Sequence, residues 1–335
     1  MKYNIPEKMT AVQIDKNTGK LVARQVAVPK PGNGEVLVKI TAAPINPSDV
    51  NHIKSMLNSE HISTFIAGIE GSGRIVAAGK GLLPGIFLGR RVGCTSWYGF
   101  GGTYADYVVT KATLCFPLPK GISDEQGSML LVNPMTALAF FDIAKKGKHK
   151  AIISTAAAGA LGRMIELLGN KFGIPVINIV RKQEQLIHLK EAGSKYILNS
   201  SDEDFSFRLK QLAEKLNASL VLDAVGGKES ADLLKSLPYG GAHIIYGTLS
   251  EELPVISSRI LIGENITVSG FYLANWSKDS GFLKTIRNVL RVRELLKEEI
   301  NINIQARFNF DQAQLAMDTY LGNMTAGKVL LAPGI

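Results

Sequence analysis

Ala151-Ile152-Ile153-Ser154-Thr155-Ala156-Ala157-Ala158-Gly159-Ala160-Leu161-Gly162 is the stretch that decides the fold. The apolar start reads as a buried strand, the run of small residues as a tight turn, and Arg163 to Phe172 as a helix. A strand that feeds a helix through such a turn leaves the first backbone N–H groups of the helix unpaired and converging on one spot, which suits a pyrophosphate. In dinucleotide-binding units the first glycine of the turn makes the bend, the second admits the phosphate and the third lets the helix pack on the sheet. Ala156 stands at the first of these positions, and Gly159 and Gly162 keep the other two. The expected cofactor contacts are therefore Ala156, Ala158, Gly159, Ala160, Leu161 and Gly162. An ordinary strand-to-helix turn has a similar composition, so the neighbouring segments have to arbitrate.

The next apolar run is Val176-Ile177-Asn178-Ile179-Val180, and the residue that selects the cofactor is expected at its end, about 20 residues past the glycines. A carboxylate there would accept hydrogen bonds from the ribose hydroxyls of NAD. The chain has Arg181-Lys182 instead, and two cations favour the 2′-phosphate of NADP. The reading is NADPH. Glu184 nearby keeps NAD in view, and a solvated cation pair at a strand end is the plain alternative.

Outward from this core the pattern is regular. Strands beginning near Ala151, Val176, Tyr196, Leu220 and His243 alternate with helical runs over 163–172, 183–192, 204–216 and 228–237, the signature of a doubly wound parallel sheet. A further strand, Ile266 to Leu273, is expected to extend it. Before residue 128 the chain is β-rich, with short runs at Thr10–Ile14, Val36–Ala42, Gly73–Ala78 and Tyr104–Thr110 separated by turns such as Pro29-Lys30-Pro31-Gly32. After the sheet, a long helix near 279–299, a strand at Asn303–Phe308, a helix over 311–321 and a last strand at Gly327–Leu331 read as a return to the first domain. The fold class is α/β, with residues 128–273 as a Rossmann domain inserted between residues 1–127 and 274–335.

Composition is compatible with this. The chain has 335 residues, enough for two cores, and its 46% hydrophobic content argues against disorder. No apolar run reaches the roughly 18 residues of a membrane span, and the polar start lacks a signal-peptide profile, so no membrane and a cytoplasmic setting are expected. Cys94 and Cys115 have no metal-ligand spacing. The net charge of +9 favours anionic ligands, but no aromatic interleaving or nucleic-acid motif accompanies it, so no nucleic-acid partner is expected. The cluster Lys145, Lys146, Lys148, His149 and Lys150 reads as a solvated face.

Gly34-Glu35-Val36-Leu37-Val38-Lys39, Ala67-Gly68-Ile69-Glu70-Gly71-Ser72-Gly73, Gly101-Gly102-Thr103-Tyr104-Ala105-Asp106-Tyr107, the Ala157–Gly162 turn and Gly327-Lys328-Val329 follow one another in that order. With this domain order, the set resembles the medium-chain dehydrogenase/reductase superfamily, whose first domain is GroES-like. Zinc alcohol dehydrogenases of this superfamily hold a catalytic metal through a Cys, a His and a further Cys or acidic residue. The matching positions here are Asn46, Ile69 and about Val132, which cannot assemble a three-ligand zinc site. The histidines His52, His61, His149, His188 and His243 are scattered. The resemblance thus implies a zinc-independent reductase that uses NADPH, pairs as a homodimer through an edge strand, and acts on a small-molecule acceptor.

Two zinc-free branches fit. Quinone oxidoreductases share Asn46-Pro47 and the glycine-rich elements. Mitochondrial-type 2-enoyl thioester reductases are similar at Ile45-Asn46-Pro47-Ser48-Asp49-Val50-Asn51, Val132-Asn133-Pro134-Met135-Thr136-Ala137, Val225-Gly226-Gly227-Lys228 and Gly270-Phe271-Tyr272-Leu273-Ala274-Asn275-Trp276. That branch places a catalytic Tyr a few residues beyond the Asn-Pro segment, where this chain has Ser55-Met56-Leu57. Enoyl reduction needs a proton at the α-carbon, whereas a quinone takes its protons from solvent. Leu57 therefore favours a quinone or similar conjugated carbonyl acceptor, unless His52, Tyr98 or water supplies the proton.

The resemblance also places Asn46 near the nicotinamide ribose and Thr136 beside the nicotinamide or its phosphate. Their plain alternatives are a turn before Pro47 and a helix cap. Gly247-Thr248 resembles a cofactor loop. Leu57, Trp97, Tyr98 and Trp276 are expected on the substrate side, and Phe271 and Tyr272 at a dimer interface. A reading from another class is a non-catalytic NADPH-binding protein.

Overall fold

The computed structural model describes residues 3–57, 59, 65–96, 101–298 and 302–334. They fall into two compact units, one of Met1–Val132 with Val289–Ile335 and one of Asn133–Asn288.

The first unit opens with a hairpin, β1 (Lys8–Ile14) and β2 (Leu21–Ala27). Its turn is set by the Asp15 carboxylate, which accepts the N–H groups of Asn17 and Thr18 at 3.1 and 3.0 Å. Then come β3 (Glu35–Pro44), α1 (Pro47–Met56), β4 (Glu70–Ala78), α2 (Leu82–Phe87), β5 (Arg91–Thr95), β6 (Tyr107–Lys111), β7 (Cys115–Pro117) and α3 (Asp124–Ser128). β3 is the spine of this sheet, antiparallel to both β4 and β6. Its period of two sends Val36, Val38 and Ile40 into one core cluster and Leu37 into another with Met9, Tyr107 and Val109.

The parallel sheet follows. Its elements are α4 (Val132–Lys146), β8 (Ala151–Ser154), α5 (Ala160–Phe172), β9 (Val176–Val180), α6 (Gln183–Glu191), β10 (Tyr196–Asn199), α7 (Phe205–Leu216), β11 (Ala218–Asp223), α8 (Ser230–Ser236), β12 (Ala242–Ile245), α9 (Ser258–Glu264), β13 (Thr267–Gly270), α10 (Leu273–Ser280) and α11 (Phe282–Glu298). The six strands lie in the order β10-β9-β8-β11-β12-β13, so the direction of winding reverses between β8 and β11. In open α/β sheets, ligands bind beyond the strand ends at that reversal. The chain closes with β14 (Ile304–Phe308), α12 (Ala313–Gly322) and β15 (Lys328–Leu331), which join the first sheet as β14-β15-β3-β4-β5-β7. The fold is a Rossmann-type sheet inserted in a GroES-like domain. No helix among the described residues is long and apolar enough to cross a membrane.

Several elements differ from the sequence reading. The strand expected over 266–273 ends at Gly270, because Phe271 leaves the sheet edge to pack on Phe140 with ring centroids 4.8 Å apart. Phe271 is thus partly buried by this contact, while Tyr272 is half exposed. The segment after Asn46 is a helix rather than a bare turn. Proline at the first helical position costs no hydrogen bond there and pre-sets the backbone, so Asn46-Pro47 starts α1. Thr136 lies inside α4 and caps nothing. β2, β5 and α9 escaped notice because their apolar residues are too few or too evenly spread to show a period.

The turn after β8 carries its strain openly. Ala156 adopts φ +50°, the left-handed conformation that a glycine takes without penalty. At Gly162, a Cβ would lie 2.4 Å from the Ala157 oxygen and 2.5 Å from its Cα, so α5 can meet the strand end only through a glycine. Substitutions at the two sites should act in opposite directions. Gly162→Ala should cost about 1–3 kcal/mol by overpacking, and Ala156→Gly should gain up to about 1 kcal/mol by relieving the left-handed alanine. Thermal and urea unfolding of both variants checks this, and a loss of equal size from both would contradict the turn geometry.

Candidate functional site

At the C-terminal edge of the parallel sheet the backbone remains tethered after β8 ends. Thr155 N–H donates to the Leu222 oxygen and Ala157 N–H to the Ile179 oxygen, both at 3.1 Å. Gly159 is the N-cap of α5 and brings no side chain to occupy the first N–H groups of the helix. Ala160, Leu161 and Gly162 thus present donors and the positive end of the helix dipole to an anion. Arg181 and Lys182 follow β9 directly and are exposed. Their backbone is held, since both N–H groups donate to Gln185 Oε1 at 3.3 and 3.2 Å and the Arg181 oxygen accepts from Ser201 Oγ at 2.9 Å. Lys182 Nζ lies 3.8 Å from Glu184, an exposed pair too loose to neutralise either group. A Cβ on Gly247 would lie 2.4 Å from the Ala224 oxygen, so the loop carrying Gly247 and the exposed Thr248 presses on the loop after β11. These residues fit a dinucleotide with a charged 2′ substituent.

The centre of this edge is a residue the sequence reading passed over. Asp223, at the end of β11, has no exposed surface. Its Oδ1 accepts from Thr155 Oγ1 at 3.0 Å and from the Val225 and Gly226 N–H groups at 2.9 and 3.1 Å. Its Oδ2 accepts from Ser230 Oγ at 3.0 Å and from His243 Nε2 at 3.1 Å. Thr155 Oγ1 in turn accepts the Ala224 N–H at 2.8 Å. Because a carboxylate only accepts, His243 carries its proton on Nε2, and its buried Nδ1 has no partner among the described residues. Burial alone would raise the Asp223 pKa. The bonds from His243, Gly226 and Val225 outweigh it and hold the pKa at about 2. An Asp closing an apolar strand just before Val225-Gly226-Gly227 was the available signal.

The first unit contains a second buried polar cluster. Asn46, fully buried, donates from Nδ2 to Glu70 Oε1 at 2.8 Å, and its Oδ1 accepts from the Lys328 ammonium. Glu70 Oε2 accepts the N–H groups of Leu131 and Val132 at 3.2 and 2.9 Å, placing an anion at the start of α4. Asp49 accepts the N–H of Asn46 and of Ile69, each at 2.8 Å. Burial raises the Asp49 pKa to about 7, raises that of Glu70 and lowers that of Lys328, each opposed by the opposite charge nearby. Zinc does not fit here. The three positions offer an amide already engaged by an ammonium, the apolar Ile69 and Val132, and no group of three or more His, Cys, Asp or Glu among the described residues is placed to hold a metal ion. Cys94 and Cys115 face each other on β5 and β7 as buried free thiols, and burial pushes the Cys94 pKa up to about 12.

The remaining expected residues are spread out. His52 is half buried on α1 with its ring edge-on to Phe65 at 4.9 Å, and burial lowers its pKa. Leu57 follows α1 and is 41% exposed, with its Cδ2 3.5 Å from where a Gly19 Cβ would sit. Thr136 is buried in α4. Trp276 lies on α10, with Lys284 Nζ 5.2 Å from its ring centroid. Trp97, Tyr98 and His61 lie outside the described residues.

A doubly wound sheet with this turn, inserted along the chain between the two segments of a GroES-like domain, defines a dinucleotide-binding oxidoreductase architecture. Residues 32–120 match the family model of the alcohol dehydrogenase GroES-like domain, and residues 160–289 match that of the zinc-binding dehydrogenases. The chain is 28% identical over 254 residues to the mitochondrial enoyl-[acyl-carrier-protein] reductase of Rattus norvegicus, covering 73% of this chain and 66% of that protein, just under two thirds of its length. It is 29% identical over 311 residues to a quinone oxidoreductase-like protein 2 homolog of Nematostella vectensis, covering 90% and 82%. Among solved structures, a candidate NADPH:quinone reductase from Mesorhizobium loti superposes with a TM-score of 0.91 at 30% identity, covering 99% of this chain and 100% of that one. The chain belongs to the medium-chain dehydrogenase/reductase superfamily of oxidoreductases.

The Asp223 cluster carries a pH-dependent stability. The folded pKa of about 2 lies below the ordinary 3.8, so the contribution is complete above about pH 4 and is lost as pH falls toward 2. Asp223→Asn should therefore cost about 2 kcal/mol at pH 7. Denaturant titrations from pH 7 to pH 2 should show the gap to the unmodified protein closing below pH 4, and a gap independent of pH would refute the assignment.

Proposed function

We propose that this chain is an NADPH-dependent, zinc-independent reductase that passes hydride to a quinone or a similarly activated conjugated carbonyl compound. The observation that carries the reading is the place of Asn46, held between Glu70 and Lys328 at a position where zinc-dependent members of the superfamily have a metal ligand. Without a metal to polarise the acceptor, the acceptor must arrive activated. NADPH, when bound, supplies the hydride. The N-terminus of α5 takes its pyrophosphate, Arg181 and Lys182 take the 2′-phosphate, and Asn46 and Thr136 act at the nicotinamide end. Gly247 and Thr248 add backbone contacts, and Leu57, Trp97, Tyr98 and Trp276 serve the acceptor.

The proton supply favours a quinone. Burial keeps the pKa of His52 below its ordinary 6.5, so at pH 7 it is mostly neutral and a weak general acid. Leu57 offers no proton at all. The second reading, a 2-enoyl thioester reductase, is supported by the likeness to the mitochondrial enoyl-[acyl-carrier-protein] reductases. We place the protein in the cytoplasm as a homodimer, paired through β13, whose residues are largely exposed at the sheet edge.

NADPH oxidation against a benzoquinone, an alkenal and a medium-chain enoyl thioester should be fastest with the quinone. Leu57→Tyr should raise enoyl-thioester turnover selectively, by up to about 100-fold. Strong thioester reduction by the unmodified protein would move the assignment to the second reading. NADPH binding without turnover of any of the three would identify a non-catalytic binding protein. Replacing both Arg181 and Lys182 with alanine should weaken NADPH by about 1.5–3 kcal/mol per charged hydrogen bond lost and leave NADH nearly unchanged. Fluorescence titration measures both affinities, and equal affinities in the unmodified protein would exclude these two residues as the 2′-phosphate site.

A further inference from the structure

Among the described residues β7 is the last strand of the first sheet, and its register on β5 sets Cys94 directly opposite Cys115. In an antiparallel pair, hydrogen-bonded and non-hydrogen-bonded positions alternate along the strands. Leu118 donates its N–H to the Arg91 oxygen at 2.9 Å, so Gly93 and Phe116 fall on the next hydrogen-bonded position and the two cysteines on a non-hydrogen-bonded one. The Cys115 N–H agrees with this, since it turns back to the Ala112 oxygen. At such a position the Cα atoms lie about 4.5 Å apart and the two side chains leave the same face of the sheet. A disulfide joins Cα atoms roughly 4.4–6.8 Å apart. Both thiols belong to one apolar core cluster with Val38, Val92 and Val108, surroundings that suit an apolar S–S bond. Two small hydrophobes would pack there as well. The shared face and the close register are what a disulfide needs in addition.

Access depends on the same edge. Both cysteines are buried, and burial holds both thiols in the protonated, unreactive form while the sheet is closed. The other side of β5 is anchored to β4 along its whole length, from Thr95 opposite Glu70 to Arg91 opposite Arg74. β7 is only three residues long, and its Pro117 has no N–H to give to the ladder. A short edge strand opens at far lower cost than the sheet as a whole. Opening of β7 wets the sulfurs, and closing returns them to opposite positions.

We propose that Cys94 and Cys115 form a redox-modification site, a dithiol that hydrogen peroxide closes to an intramolecular cross-strand disulfide when β7 opens. One thiolate attacks the peroxide, an S–O bond forms as the O–O bond breaks, and the departing hydroxide takes a proton to leave as water. The second thiolate then attacks the sulfenic sulfur, the S–S bond forms as the S–O bond breaks, and a second water leaves. Two thiols are oxidised and one peroxide is reduced to two waters. The bond ties the edge strand to β5 and closes a ring over residues 95–114. Neither NADPH nor an acceptor enters the step, so it is independent of the proposed function.

The test uses the full chain, reduced and then freed of reductant. It is incubated with hydrogen peroxide at about pH 8, where a wetted thiol is partly ionised, quenched with acid, alkylated in denaturant and read by intact-mass and peptide mass spectrometry. The chain should lose the mass of two hydrogen atoms and take up no alkylating agent. The Cys94 and Cys115 peptides should be joined, and dithiothreitol should separate them. The oxidised chain should melt a few degrees above the reduced one, because the ring restricts the unfolded state. Alkylation of both cysteines after peroxide, oxidation that runs on to sulfinic acids, or disulfides formed only between chains would each overturn the proposal. So would a disulfide that lowers the melting temperature, since the native strands would then not accommodate it.

Discussion

Burying a carboxylate is tolerable only where enough donors converge on it, and in the parallel sheet that requirement is met at Asp223. The donors come from the turn after β8, the loop after β11, the start of α8 and the middle of β12. These are the segments that surround the reversal of winding between β8 and β11. One desolvated anion thus holds together the loops that would shape a cofactor crevice. The turn at Ala156 and the close approach at Gly162 are stable in this setting because the segments on either side are already fixed.

The first unit solves a different problem with similar means. A fold that elsewhere in its superfamily surrounds a metal here surrounds an amide, with Lys328 as the cation and Glu70 as the anion. Glu70 also ties this cluster to the start of α4 through the N–H groups of Leu131 and Val132.

The sequence was most legible where one residue type answers one local need. The period of the parallel strands, the small-residue turn and the cation pair at the end of β9 could all be read from a few neighbouring residues, and each occupies the expected place in the sheet. Reading failed where the deciding interaction spans the chain. Lys328 meets Asn46 across 282 positions, Glu70 meets Val132 across 62, and Asp223 meets Thr155 across 68. The end of β13 was misread for the same reason, since Phe271 leaves the sheet to reach Phe140.

By itself, then, the sequence determined the fold class, the family resemblance, the dinucleotide turn and the lack of a zinc ligand set at Asn46, Ile69 and Val132. These follow from side-chain chemistry and short-range spacing, which any stretch of a dozen or so residues displays. Only the tertiary structure decided which groups bond the Asn46 amide, which residue organises the edge of the parallel sheet, and that Asn46 is a helix cap gripped by two charges rather than a free amide. Those outcomes depend on which distant groups share a volume without water, and the free energy of a buried charge is set by that company rather than by its neighbours along the chain.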